Sequence, residues 1–206
     1  IRFAYVTEAD ALSGSRYASG AVVLHKAGLL VDSNYEKVKL RYPGTSIKAE
    51  SLLTFLEDKW TPLVGQFTMK TAEAYVMKGL PVLTLYSRAG VEQDAKLYRY
   101  YVSRMRKIAK VTPEVLFTIA DPEEIQNQLV TDISKHSDTA VAIVAEGVWY
   151  EMDASFSSEG LKTFVKAFLA GEIEGVPVKR PEPTPLGGLA DDGEEDDTDT
   201  DVVNTS

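Results

Sequence analysis

The chain has 206 residues with a hydrophobic fraction of 44% and a formal net charge of −9, so it is long enough for one large domain or up to two small ones. Because it has no cysteine, a thiol nucleophile, a disulfide framework and a thiolate metal site are excluded within these residues. No stretch approaches twenty apolar residues, and we therefore expect no membrane-spanning segment.

The first predicted elements form a short unit of two strands and a helix. Apolar runs at 21–24 and 37–42 predict strands, and ESLLTFL at 50–56 predicts a helix. Upstream, RFAYVTEADAL at 2–12 predicts a further strand with an acidic segment behind it. The front half of a complete α/β unit is missing here, so we expect residues 1–60 to be the C-terminal part of a domain.

A second unit begins with the elements that the first one lacks. Short apolar runs at 63–68 and 81–87 predict buried strands, and between them 70–79 predicts a helix that Gly79 ends. Apolar residues at helical spacing predict another helix within 91–108. A strand-helix-strand beginning predicts two parallel strands joined by a crossover helix.

The remaining elements repeat the order of the first unit. VLFTIADPEEI at 115–125 predicts a strand with an acidic segment, and strands at 140–143 and 148–152 predict a hairpin. An amphipathic helix follows over 160–172, and its EGLKTFV shares Glu, Leu, Thr and Phe with ESLLTFL at matching places. The sequence therefore predicts an α/β fold with a mixed central sheet flanked by helices, as a partial first copy and a complete second copy over 61–172.

The negative charge is concentrated near the end of the sequence. Eight acids and no lysine or arginine lie in the acidic run Asp191–Asp201, so removing those charges leaves −1 for the rest of the chain. Prolines and glycines punctuate residues 175–189, which is typical of an extended linker. We therefore expect residues 173–206 to form a Pro-rich linker and a disordered acidic tail.

This order of elements is that of the thioredoxin-like fold, and two such units in tandem without active-site cysteines resemble the b and b′ domains of protein disulfide isomerases. LTFLEDKWTPLVGQFTMKTA at 53–72 resembles the junction of those domains, and PVLTLYS at 81–87 resembles the second strand of b′. FVKAFLAGEIEGVPVKRPEPTP at 164–185 resembles the closing helix of b′ and its linker. A thioredoxin-type active site needs Cys-x-x-Cys where this chain has FTMKTAEA at 67–74, so we expect no catalytic residue and no disulfide exchange in this segment.

The resemblance also implies a binding site, because b′ domains bind unfolded polypeptide in an apolar pocket between their first and third helices. The matching positions are Phe67, Tyr75, Val76, Met77, Leu80, Leu83, Ile125, Leu129 and Ile133. Misfolded chains expose apolar groups, so their receptor needs an adaptable apolar surface. A core position is an equally open interpretation for Phe67, Leu83 and Leu129. Tyr75, Val76 and Met77 cannot all face the core from successive helical positions, and we expect replacing Tyr75 or Val76 to weaken binding in a folded chain.

Other kinds of site find little support in the sequence. His25 and His136 are the only histidines and lack a histidine partner at ligand spacing, so we expect no metal site. No phosphate-binding glycine pattern occurs, and we expect no cofactor. Basic residues gather between Lys96 and Lys110, where a solvated helix face explains them better than nucleic-acid binding does.

Two functions remain open at this point. The resemblance implies a substrate-binding, non-catalytic middle segment of a protein disulfide isomerase-like chaperone in the endoplasmic reticulum lumen, with thiol-disulfide exchange in flanking domains outside this chain. Its partners would be unfolded or misfolded polypeptides, with other chaperones as a further class and neither nucleic acid nor membrane. The alternative is a non-enzymatic, calsequestrin-like thioredoxin-repeat protein with weak Ca²⁺ association at the acidic tail. Calsequestrins spread acids through the body, whereas this body sums to −1, which favours the first function.

Overall fold

The computed structural model describes residues 20–26, 31–89, 94–125 and 139–178. Several predicted features therefore lie outside the described residues. They are the strand within 2–12, the pocket residues Leu129 and Ile133, His136, most of the linker and the acidic run Asp191–Asp201.

The described residues form two sheets. A two-stranded antiparallel sheet contains β1 (Val23–His25) and β2 (Lys39–Arg41), and helix α1 (Ala49–Lys59) follows it. A six-stranded sheet contains β3 (Val64–Gln66), β4 (Val82–Ser87), β5 (Leu116–Ala120), β6 (Thr139–Ala145), β7 (Val148–Glu151) and β8 (Val176–Pro177). Its order is β3-β5-β4-β6-β7-β8, with β3, β5 and β4 parallel and the later neighbours antiparallel. The predicted mixed sheet is thus confirmed.

Four helices connect or follow these strands in the described part of the chain. They are α2 (Ala72–Val76), α3 (Ala95–Ala109), α4 (Pro122–Ile125) and α5 (Ser158–Leu169). The side chain of Asp94 caps α3 by accepting from Leu97 N–H at 2.9 Å, and Ser157 Oγ caps α5 by accepting from Gly160 N–H at 3.0 Å. The end of α5 meets Gly171 in the left-handed region at φ 71°.

Strand β4 divides its side chains between the two faces of the large sheet. Leu83 and Leu85 point into the larger cluster, which also contains Met105 of α3 and Leu161 of α5. Tyr86 points into a second cluster with residues of β5, β6 and β7. We call these sides the α3 face and the α2 face, because α2 packs on the second side. None of the described helices is long and apolar enough to cross a membrane.

Charged side chains fasten the small sheet to the large one. Lys26 Nζ lies 2.8 Å from Glu36 Oε2 and also donates to the carbonyl oxygen of Thr61, while Glu36 Oε1 accepts from Leu63 N–H at 3.1 Å. Asp32 further pairs with Arg106 of α3 at 3.4 Å. Lys26 and Glu36 therefore hold the chain between α1 and β3 at two residues, Thr61 and Leu63. The predicted boundary near residue 60 falls in this segment and stays a prediction.

Candidate functional site

The turn between β3 and α2 is fixed by threonine hydroxyls at the place where a thioredoxin would carry its thiols. Thr71 Oγ1 accepts from Thr68 N–H at 2.9 Å and donates to the carbonyl oxygen of Gln66 at 2.8 Å. These bonds satisfy the carbonyl group at the end of β3 and an N–H group in the turn that follows it. The polar side chains at this position thus support the backbone.

Tyr75 is the residue that holds α2 against the sheet. Its side chain is buried over Gly65 of β3, so closely that a Cβ added to Gly65 would overlap with Tyr75 Oη. The rings of Trp60 and Phe67 flank it, with centroids 6.0 and 6.1 Å away. Burial raises the pKa of the Tyr75 hydroxyl to about 12. The structure corrects the expectation for this residue: replacing Tyr75 removes a core side chain.

Exposed apolar side chains lie on either side of this buried anchor in the chain. The exposed fractions are 61% for Met69, 67% for Val76, 79% for Met77 and 40% for Leu80. We call these four residues the α2 surface. Helix α2 is shorter than the predicted helix 70–79: it ends at Val76, and a tight turn follows to Gly79, whose φ is 64°. The expectation that Tyr75, Val76 and Met77 do not all face the core is confirmed.

A second anchor connects α2 to the end of α1. Lys78 Nζ donates to Thr61 Oγ1 at 3.0 Å and to the carbonyl oxygen of Asp58 at 3.5 Å. Burial lowers the pKa of the Lys78 amine, and the nearby Asp58 carboxylate opposes that shift. The segment that carries the α2 surface is therefore connected to the sheet by Tyr75 and to the end of α1 and the residues after it by Lys78.

The structure places the other predicted site residues in different positions. Phe67 is half-buried beside Tyr75, and Ile125 is buried on the α2 face in the cluster of Tyr86. Leu83 is fully buried on the α3 face, so it cannot form the floor of a pocket beside Phe67. The sequence did not indicate on which face of the sheet Leu83 lies, because a strand buried on both faces shows no alternation of apolar and polar residues.

Two residues of this region were missed by the sequence prediction. Met69 lies in the turn before α2 and is exposed, and Trp60 covers Tyr75. A lone exposed methionine in a turn carries a weak signal, since methionine is also a common core residue. Within the described ranges, no group of three or more His, Cys, Asp or Glu side chains is arranged to hold a metal ion.

The exposed side chains of the α2 surface are apolar, and the chain resembles known proteins in fold. A family model for a thioredoxin-like domain matches residues 1–167. The chain belongs to the thioredoxin-like domain family. For the family and the fold, this confirms the resemblance predicted from the sequence. No match was found among curated proteins.

Solved structures are similar to this chain at low sequence identity. The bb fragment of ERp72, a member of the protein disulfide isomerase family, has a TM-score of 0.69 and 22% identity, with 81% of this chain and 75% of that chain covered. Human ERp44, form II, has a TM-score of 0.49 and 18% identity, with 69% of this chain and 41% of that chain covered. The chain thus spans well under half of the ERp44 chain.

Proposed function

We propose that this chain is a non-catalytic thioredoxin-like module of the protein disulfide isomerase type and that it binds unfolded polypeptides at the α2 surface. The exposure of Val76 and Met77 on the helix that follows the first strand of the large sheet carries this proposal. Unfolded chains present apolar side chains of many shapes, and flexible methionines suit such ligands. Since the chain has no cysteine, the proposal leaves thiol-disulfide exchange to flanking domains outside this chain.

One solved structure supports the proposed type of module and its proposed location. The bb fragment of ERp72 offers a fold of this kind, and ERp72 is an endoplasmic reticulum protein. On this basis we include in the proposal a location in the endoplasmic reticulum lumen and cooperation with other chaperones. The calcium alternative rests on the acidic run Asp191–Asp201, outside the described residues, and it stays a hypothesis.

Truncating one exposed valine provides a test that leaves the core untouched. Val76→Ser removes some tens of Å² of apolar contact, and at roughly 25 cal/mol per Å² this costs about 1 kcal/mol of binding free energy, or several-fold in Kd. The measurement is a fluorescence anisotropy titration of a labelled, permanently unfolded polypeptide, together with the Tm of each variant. We expect weaker binding and an unchanged Tm.

Val111→Ser is the matched control, because Val111 is also exposed, at 76%, but follows α3. It should bind like the parent chain. Equal losses in both variants would show that exposed valines contribute without a defined surface. Equal retention in both would show that the polypeptide binds elsewhere.

A further inference from the structure

Helix α3 presents an exposed face that contains positive charges and no negative ones. Between Ala95 and Lys110 the sequence has no aspartate or glutamate. At about 100° per residue, five cations fall within an arc of roughly 140° on the side away from the core. These residues, the α3 basic face, are Lys96, Arg99, Arg104, Lys107 and Lys110; Arg104 is half-buried and the other four are exposed.

These five cations form no ion pair with any residue that the structure describes. The Arg104 guanidinium lies over the Tyr100 ring at 3.5 Å from its centroid, and Arg99 Nε donates to the carbonyl oxygen of Ala95 at 3.1 Å. Arg106 differs, because it is buried and pairs with Asp32. Like charges three and four residues apart repel along a helix, so an acidic partner would relieve the α3 basic face.

We propose that the acidic run Asp191–Asp201 binds the α3 basic face of the same chain. The run holds eight acids, while the rest of the chain sums to −1, so the two most strongly charged segments are opposite in sign. A tethered partner has a high effective concentration, which favours it over a free polyanion or a second copy. The ligand class is a carboxylate-rich peptide.

The last described residue, Val178, lies at the same end of the sheet as the C-terminal end of α3, which suits this contact. Val178 N–H donates to the carbonyl oxygen of Gly147 at 2.8 Å, in the turn that follows β6. In the sheet register Val82 pairs with both Val144, near the end of β6, and Leu116, where β5 begins after α3. The exit of the chain and the C-terminal end of α3 therefore lie at the same end of the sheet.

The linker is also long enough. Strand β8 is three to four strand positions from β4 and β5, which corresponds to about 14–19 Å at roughly 4.8 Å per strand. Helix α3 packs one layer above these strands. Twelve residues, the number from 179 to 190, would reach about 37 Å at roughly 3.1 Å per residue in an extended, Pro-rich chain.

A spin label in the tail of the full-length chain tests the contact. Because the chain has no native cysteine, Thr198→Cys introduces one labelling site without changing the charge of the run. We expect a nitroxide there to broaden backbone amide signals of α3, most strongly near Lys107 and Lys110. The broadening should be lost in 1 M salt, where the Debye length falls to about 3 Å, and in Lys107→Glu/Lys110→Glu.

Two further variants separate charge from folding. Lys37→Glu/Lys39→Glu makes the same change at exposed lysines of the small sheet and should keep the broadening of α3. Replacing the eight acids of the run by their amides should abolish the broadening without altering the described residues.

Three outcomes would overturn the proposal: no broadening on α3, broadening centred on β2, or broadening that persists in Lys107→Glu/Lys110→Glu. A fourth comes from mixing a spin-labelled chain with a separate isotope-labelled chain that lacks the label. Broadening of α3 that arises only between molecules would identify a second copy as the occupant and contradict binding within one chain.

Discussion

Within the described residues, helices of very different length pack on the two faces of the six-stranded sheet. On the α3 face, the long helices α3 and α5 pack on Leu83 of β4. Met105 of α3 and Leu161 of α5 are fully buried there together with Leu83. On the α2 face, a helix of five residues buries Tyr75 but leaves Val76 exposed at its last position. The comparison teaches that a short helix with one deep anchor can present apolar side chains to solvent while remaining fixed in place.

Truncating a leucine on each side should give the largest contrast. Leu83→Ala on the α3 face should lower the free energy of unfolding by about 2–5 kcal/mol, because it leaves a cavity in a fully buried cluster. Leu80→Ala, in the half-exposed position before β4, should stay within about 1 kcal/mol of the parent. Chemical denaturation with an unchanged m-value measures both. Similar losses would mean that the α2 surface is part of the core.

The buried hydroxyl of Tyr75 makes stability fall at alkaline pH. Its pKa is about 12 in the folded chain and about 10 when unfolded, so its contribution is fully present below pH 10 and is lost as pH rises toward 12. The loss is on the order of 2 kcal/mol. Unfolding experiments between pH 9 and 12 on the parent and on Tyr75→Phe isolate it. Parallel curves for the two chains would show that Tyr75 is solvated.

A smaller effect is expected from the contact between Gly65 and Tyr75. Gly65→Ala places a methyl group against Tyr75 Oη, and overpacking of this kind costs about 1–3 kcal/mol. Tyr75→Phe removes the overlapping oxygen, so the double variant should recover part of the loss, with a coupling of at least about 0.5 kcal/mol. Additive losses in this double-mutant cycle would mean that the ring does not pack on β3.

Much of the fold could be predicted from the sequence because its signals are local and mutually consistent. Apolar runs located every strand from β1 to β7 near its observed position, and Gly171 marked the end of α5, where its backbone is left-handed. Gly79 is left-handed too, but α2 already ends at Val76. The amphipathic face of α5 is confirmed for Leu161, Phe164 and Val165, which are buried. Periodicity predicts such contacts because each helix must bury one side.

The candidate site was harder to predict because it depends on contacts between distant residues. The burial of Tyr75 requires the missing side chain of Gly65, and the position of Leu83 requires knowing which side of β4 faces α2. The pairing of Asp32 with Arg106 joins the loop between β1 and β2 to α3, which no spacing rule connects. Local sequence patterns show that a residue is apolar, but only the tertiary arrangement decides whether it lies in the core or on the surface.

The four methionines allow the most direct test of the α2 surface, because their methyl groups sample both faces. Met69 and Met77 belong to the α2 surface, Met105 is fully buried on the α3 face, and Met152 packs against the same α3-face cluster. The full chain carrying ¹³C-methyl methionine is titrated with an unfolded polypeptide and followed by NMR. The account predicts that the Met69 and Met77 signals shift while those of Met105 and Met152 stay in place. Shifts at Met152 with unchanged Met69 and Met77 signals would contradict it.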